Sequence, residues 1–325
     1  MTLSVIIPSY NVEAYIGQCL DSVFSLSDDI QLEVICIDDG STDSTLDIIN
    51  KYAFKHNNIR IINQQHAGAS AARNNGILAS QGDYIFFLDS DDFIAYPDNL
   101  RQVLALAIGH NADLCFVNAL IDGKSPYLNH MPVIDTPLSG PETMGVLYDY
   151  CRTIPTPVWM QLYRRKFMIE NSILQKTGTY HEDELFTPIV VYKSRRTLSF
   201  DVPVVHYRYK RDGAVTTQYG EKYYRDWANI GRDLFQFFSS SNAAIDAPFR
   251  QVFSVFIQLI DILYVHGKSI NQYVSHKDRE IMKKCVRTGY ERKCYRLSYI
   301  SPRILHHYTD NTLNPIIRKI INRFL

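Results

Sequence analysis

The chain has 325 residues, room for one large domain or two smaller ones. Hydrophobic residues make up 46% and charged residues 21%, the balance of a folded globular protein rather than a disordered or fibrous one. Net charge is zero and no nucleic-acid partner is expected, yet residues 279–325 carry eleven Lys and Arg against three Asp and Glu, so the remainder is acidic by eight charges.

No uninterrupted apolar run is long enough to cross a bilayer. The N-terminus enters a strand at once, so no signal peptide is expected. Cys19, Cys36, Cys115, Cys151, Cys285 and Cys294 have neither zinc nor redox spacing. They read as reduced, buried thiols of a cytosolic protein.

In chain order, Val5-Ile6-Ile7, stopped by Pro8, predicts a short buried parallel strand. Ile16, Leu20, Val23 and Phe24 mark one face of a helix. Residues 32–37 form a second strand that ends in Asp38-Asp39-Gly40-Ser41. Asp43 is placed to cap a helix carrying Leu46, Ile49 and Ala53. Residues 59–62 are a third strand. Ala67-Gly68-Ala69-Ser70 then leads into a helix containing Arg73. Residues 84–88, Tyr-Ile-Phe-Phe-Leu, are a fourth strand, and they stop at Asp89, Asp91 and Asp92. Leu100, Val103, Leu104, Ala107 and Ile108 mark a further helix, and residues 114–117 a further strand. This alternation predicts a mostly parallel α/β sheet with helices on both faces.

Residues 122–137 read as a loop. Ser139 and Glu142 have capping-box spacing ahead of a helix. His181-Glu182-Asp183-Glu184 places acids before an apolar helical stretch, where dipole matching alone is a sufficient reason for them. Residues 204–209 are a strand holding His206 and Arg208, with Lys210-Arg211-Asp212-Gly213 beyond it. From residue 221 the pattern turns helical. The expected division is 1–220, a sheet domain, and 221–325, a helical C-terminal region. Ile316, Ile317, Ile320, Ile321 and Phe324 recur at helical spacing among basic residues, which predicts a short amphipathic helix, either packed on the protein's own helices or lying on an anionic membrane surface, the surface favoured by the basic balance of residues 279–325.

A buried strand ending in clustered carboxylates calls for a cation, and oxygen ligands suit Mg²⁺ or Mn²⁺. Ligands of open α/β sheets bind at the carboxyl ends of strands. Two acidic strand tips, expected side by side at Asp38-Asp39 and Asp89-Asp91, point to a nucleotide and its metal. A strand-to-helix turn with a capping Asp92 is the alternative. Gly-x-Gly-x-x-Gly is missing after the first strand, which argues against a dinucleotide-dependent oxidoreductase. The absence of a basic, Gly-rich phosphate loop there argues against a nucleotidyltransferase.

Five ordered blocks carry a resemblance. They are Ser4-Val5-Ile6-Ile7-Pro8-Ser9-Tyr10-Asn11; Asp38-Asp39-Gly40-Ser41-Thr42-Asp43; Ala72-Arg73-Asn74 with Gly76; Asp89-Ser90-Asp91-Asp92; and Trp159 with Leu162-Tyr163-Arg164-Arg165 followed by Glu182-Asp183-Glu184-Leu185-Phe186. Over residues 1–217 the chain resembles the inverting family 2 glycosyltransferases of GT-A fold. The resemblance implies transfer of a sugar from a nucleotide-sugar, UDP-sugar favoured, to a saccharide or lipid-linked saccharide acceptor. A transferase with a basic tail fits bacterial surface polysaccharide or glycolipid assembly, and the reduced thiols and basic end fit the cytoplasm or the inner face of the plasma membrane. The resemblance implies Mn²⁺ or Mg²⁺ at Asp91 and Asp89, approached by His206. Pro8, Tyr10 and Glu13, on the first strand-to-helix loop, would flank the base and Asp39 would bond uracil or ribose. Arg73 would lie on the nucleotide side, and Arg208 and Arg211 would approach the pyrophosphate. Asp183 would be the general base, with Glu182 its competitor. A non-catalytic nucleotide-sugar-binding protein on the same fold is the other reading.

Overall fold

The computed structural model describes residues 2–26, 30–151, 153–209, 219–241 and 246–309. The chain divides into two compact units, residues 1–214 and 215–325.

Among its described residues the first unit has ten strands. They are β1 (Thr2–Ser9), β2 (Gln31–Asp38), β3 (Ile59–Asn63), β4 (Tyr84–Phe87), β5 (Phe93–Ile94), β6 (Leu114–Ile121), β7 (Ser125–Pro126), β8 (Ile134–Leu138), β9 (Gln161–Arg164) and β10 (Thr197–Tyr207). The main path runs β3-β2-β1-β4-β9-β6-β10-β5. β1 lies parallel to both neighbours, with Val5 opposite Val34 on one side and Phe86 on the other. Its residues from Leu3 to Ser9 are all buried, as an apolar strand covered on both faces should be.

Among the described residues the α-helices of this unit are α1 (Ile16–Phe24), α2 (Thr45–Lys55), α3 (Ala69–Ala79), α4 (Pro97–Gly109), α5 (Gly140–Cys151), α6 (Arg165–Glu170) and α7 (Glu182–Lys193). α3 reaches the sheet through Gly76. A Cβ there would stand 2.3 Å from Ile6 Cγ2, so only glycine lets the helix approach β1 this closely.

The sheet is mostly parallel as expected, with β9 running antiparallel between β4 and β6. Three readings change. The acidic tips of β2 and β4 flank β1 and are not adjacent. Pro8 lies inside β1, opposite Ile37, and not on the loop beyond it. Residues 122–137 are not all loop: β7 pairs with β6, and β8 with β10. Two-residue strands are too short to show any sequence period.

The second unit is helical: α8 (Glu221–Ser240), α9 (Asp246–Val265), α10 (Ile270–Tyr273), α11 (His276–Cys285), α12 (Gly289–Ile300) and α13 (Pro302–Thr309). By length and composition α9 could cross a membrane, although Arg250 and Asp261 interrupt its apolar run. Over half of that window is buried within the protein. Its charges are paired, Arg250 Nε with Glu291 Oε1 at 2.9 Å and Asp261 Oδ1 with His306 Nδ1 at 2.8 Å. This is how a core helix of a globular unit carries charge. The amphipathic stretch at 315–325 lies outside the described residues.

Candidate active site

Three loops meet at the carboxyl ends of β1, β2 and β4. Asn11, just past β1, has φ +50°, a left-handed conformation that asparagine tolerates better than most residues. Its Oδ1 accepts from Thr42 N–H at 2.8 Å. Glu13 braces the same two loops: its N–H donates to Asp43 Oδ2 at 3.1 Å and its Oε2 accepts from Ser44 N–H at 2.9 Å. Asp43 supports α2 from one position before the cap, accepting from Thr45 N–H at 3.0 Å.

Asp39 is 3% exposed and both its oxygens are engaged. Oδ1 accepts from Gln64 Nε2 at 2.6 Å and Ala67 N–H at 2.8 Å. Oδ2 accepts from Gly68 N–H at 2.9 Å and stands 2.9 Å from His66 Nδ1. The His66 ring stacks on Tyr10 with centroids 4.1 Å apart. Tyr10 and His66 thus form an exposed aromatic pair anchored through Asp39 to the β3–α3 loop. Sequence reading missed His66 and Gln64, since neither falls in a recognisable block.

At the tip of β4, Asp92 turns back to Asp89, N–H to carbonyl at 2.9 Å. Asp92 Oδ1 accepts from Arg208 N–H at 2.8 Å, while Oδ2 is buried without a partner. Burial, then the charges of Asp91 and Asp89, push the Asp92 carboxyl up to about 9. The Arg208 guanidinium lies over Tyr15 and Phe93, at 5.2 and 5.1 Å, and donates to the Asp91 carbonyl and to Gln18 Oε1. His206 stacks on Phe93 at 4.5 Å. Burial, then Arg208, hold its imidazole below the usual range.

Arg73 is 6% exposed and joins two loops. Nη2 donates to Asp89 Oδ1 at 2.7 Å, and Nη1 to Glu182 Oε1 at 2.8 Å. Burial opposes its charge, but the two carboxylates more than offset that and raise its pKa. Asn74, the next residue, grips Gln175 through two 2.8 Å bonds, to its carbonyl and from its N–H. The Ala72-Arg73-Asn74 block therefore ties the β4 tip and the segment before α7 to α3.

α7 starts behind His181, which takes a left-handed φ of +58°. Asp183 Oδ1 accepts from Glu184 N–H at 3.0 Å. Burial, then the charge of Glu182, lift the Asp183 carboxyl above the ordinary range, and Arg73 pulls the other way. Burial, then Asp183, raise Glu184, whose Oε1 accepts from Thr156 Oγ1 at 3.0 Å. Three rings stand near these acids. Trp159 stacks on Tyr207 at 5.1 Å, and Tyr127 meets both edge-on. Burial, then the field of Asp183, raise the Tyr127 phenol, and burial, then Asp92, raise Tyr207. The aromatic wall thus feels both acid groups. Gln161 is fully buried and bonded to Pro155 and Tyr163, a core amide.

The predicted trio Asp89, Asp91 and His206 is not gathered. Among the described residues no three His, Cys, Asp or Glu side chains converge as a ready-made cation site. Arg73 already supplies a positive charge to Asp89, and His206 packs on Phe93. Arg211 lies outside the described residues.

The sequence profile of Glycosyl transferase family 2 matches residues 4–171. The chain belongs to this family. Its first unit has the GT-A fold of that family, and a helical C-terminal region follows in the sequence. The glycosyltransferase YibD of Escherichia coli K12 is 32% identical over 201 residues, 60% of this chain and 57% of YibD. EpsH of Bacillus subtilis 168 is 26% identical over 294 residues, 88% of this chain and 82% of EpsH. The chain therefore spans little more than half the length of YibD. The crystal structure of Staphylococcus aureus TarS 1–349 with UDP-GlcNAc shares the fold, at a TM-score of 0.64 and 18% identity, covering 96% of this chain and 92% of that one.

Proposed function

We propose that this glycosyltransferase moves a sugar from a UDP-sugar to an acceptor hydroxyl with inversion at the anomeric carbon, and that Asp183 is its general base. The observation that carries the reading is the division of labour at the start of α7. Glu182 is tied to Arg73, while Asp183 sits beside it with a raised carboxyl pKa suited to taking a proton near neutral pH. The complex of TarS with UDP-GlcNAc supports the choice of donor.

In the proposed reaction the acceptor oxygen attacks the anomeric carbon from the face opposite the diphosphate. The acceptor proton passes to an Asp183 oxygen, and the bond to the diphosphate breaks with its electron pair leaving on UDP. Tyr10 and His66 offer ring faces to the base, and the Tyr127, Trp159 and Tyr207 wall lines the sugar side.

A divalent ion fits the donor set. Mg²⁺ is commonly held by one or two carboxylates completed by substrate phosphates, not by an all-protein cage. Asp91, with the uncapped Asp92 Oδ2 beside it, would hold it. Such an ion would neutralise charge developing on the leaving diphosphate. Arg208, positioned at the Asp91 carbonyl, would add to that. Surface polysaccharide or glycolipid assembly is the setting we propose. The test is thermal stabilisation by UDP with and without Mn²⁺. Wild type should gain stability from the pair, and Asp91→Ala should lose the metal-dependent part. Equal Mn²⁺-dependent stabilisation of both would remove the metal assignment.

A further inference from the structure

The helical unit holds a groove that no part of the transfer chemistry uses. It is a cavity of about 430 Å³ lined by Asn271, Val274, Ser275, His276, Arg279 and Tyr299. None of the six is acidic. The first-turn acid of α11, Asp278, is fully buried and occupied: its Oδ1 and Oδ2 take Arg232 Nε and Nη2, each at 2.7 Å. It is therefore unavailable to Arg279. The Arg279 guanidinium carbon stands 4.3 Å from the centroid of the Tyr299 ring, a cation–π contact. Its Nη2 has only a long contact, 3.5 Å, with Asn271 Oδ1, and its Nη1 is shut off from water with no acceptor. A guanidinium presents five donors in a rigid fork suited to phosphate or carboxylate. Here that fork is held against a ring and its hydrogen bonding is incomplete. Tyr299 is 52% exposed. An exposed ring beside an amide and an imidazole suits a sugar ring with its hydroxyls.

We propose that this groove binds a phosphate-bearing saccharide, the phosphate on Arg279 and the sugar ring against Tyr299 and Asn271. The assignment stands apart from the reading of the transfer site, since no residue is shared. The test uses the full chain with ¹⁵N-labelled arginine and glucose 1-phosphate as probe. The Arg279 Nε–H signal, identified by its loss in Arg279→Gln, should move saturably with glucose 1-phosphate at constant ionic strength and stay still with glucose or added NaCl. Glucose 1-phosphate should bind about tenfold tighter than inorganic phosphate, about 1.4 kcal/mol. Asn271→Ala, which leaves the cation–π contact intact, should weaken glucose 1-phosphate binding several-fold without changing the melting temperature. No saturable movement, or the same movement with NaCl, would overturn the site. Equal affinity for inorganic phosphate would overturn the saccharide assignment.

Discussion

Arg73 is the residue on which the transfer site depends. Its two carboxylate partners come from the β4 tip and the start of α7, 16 and 109 positions away. The Ala72-Arg73-Asn74 block was legible as a motif, but its meaning was not, because the partner at 182 is brought near only by folding. The same holds for His66, Tyr127 and Tyr207, whose ring contacts, stacked or edge-on, follow no sequence period. Asp183 and Glu182 were legible as acids at a helix start, and the structure adds the asymmetry between them. That asymmetry has a pH consequence. A general base works deprotonated, so kcat/KM should rise with pH through the raised Asp183 pKa. Glu182 is the largest charge raising it, after burial. Glu182→Gln removes that charge and frees Arg73 to favour the Asp183 anion. Both effects lower the pKa, so the acid limb should move to lower pH by on the order of one unit. A limb that stays in place in a pH–rate profile would separate Glu182 from the base.

At the scale of elements, the acidic strand ends and the helices that follow them were readable from apolar runs closed by Asp and Gly. β9 was not, since a four-residue strand flanked by Trp159 and Arg165 reads equally well as a helix entry. Its antiparallel insertion is a tertiary outcome, fixed by pairing with β4 and β6 together. Contact between α3 and the sheet rests on one missing side chain. Gly76→Ala would put a methyl 2.3 Å from Ile6 Cγ2. In a packed core that overlap should cost about 1–3 kcal/mol, read as a lower urea midpoint at an unchanged m-value. Because α3 carries Arg73, UDP binding should fall as well. Unaltered stability and binding would mean that β1 yields at Ile6 to admit the methyl group.

At the scale of the whole molecule, the sheet unit answered to its motifs, whereas the helical unit offered only amphipathic stripes and a basic balance. Those stripes specify a core but not a ligand, because helix patterning records burial and little else. The basic end retains its own proposal. Deleting residues 315–325 should weaken binding to anionic vesicles, since each basic residue near such a surface adds about 1 kcal/mol, and should leave transfer to a soluble acceptor unchanged. Equal vesicle binding by both proteins would remove the membrane role. The central claim is that this glycosyltransferase uses Asp183 as its base on a UDP-sugar, and one comparison tests it most directly. UDP-sugar affinity and single-turnover transfer are measured in parallel for wild type and Asp183→Asn. The variant should bind the donor as wild type does and transfer about 10²–10⁴-fold more slowly. Wild-type transfer by Asp183→Asn, at equal donor occupancy, would contradict the account.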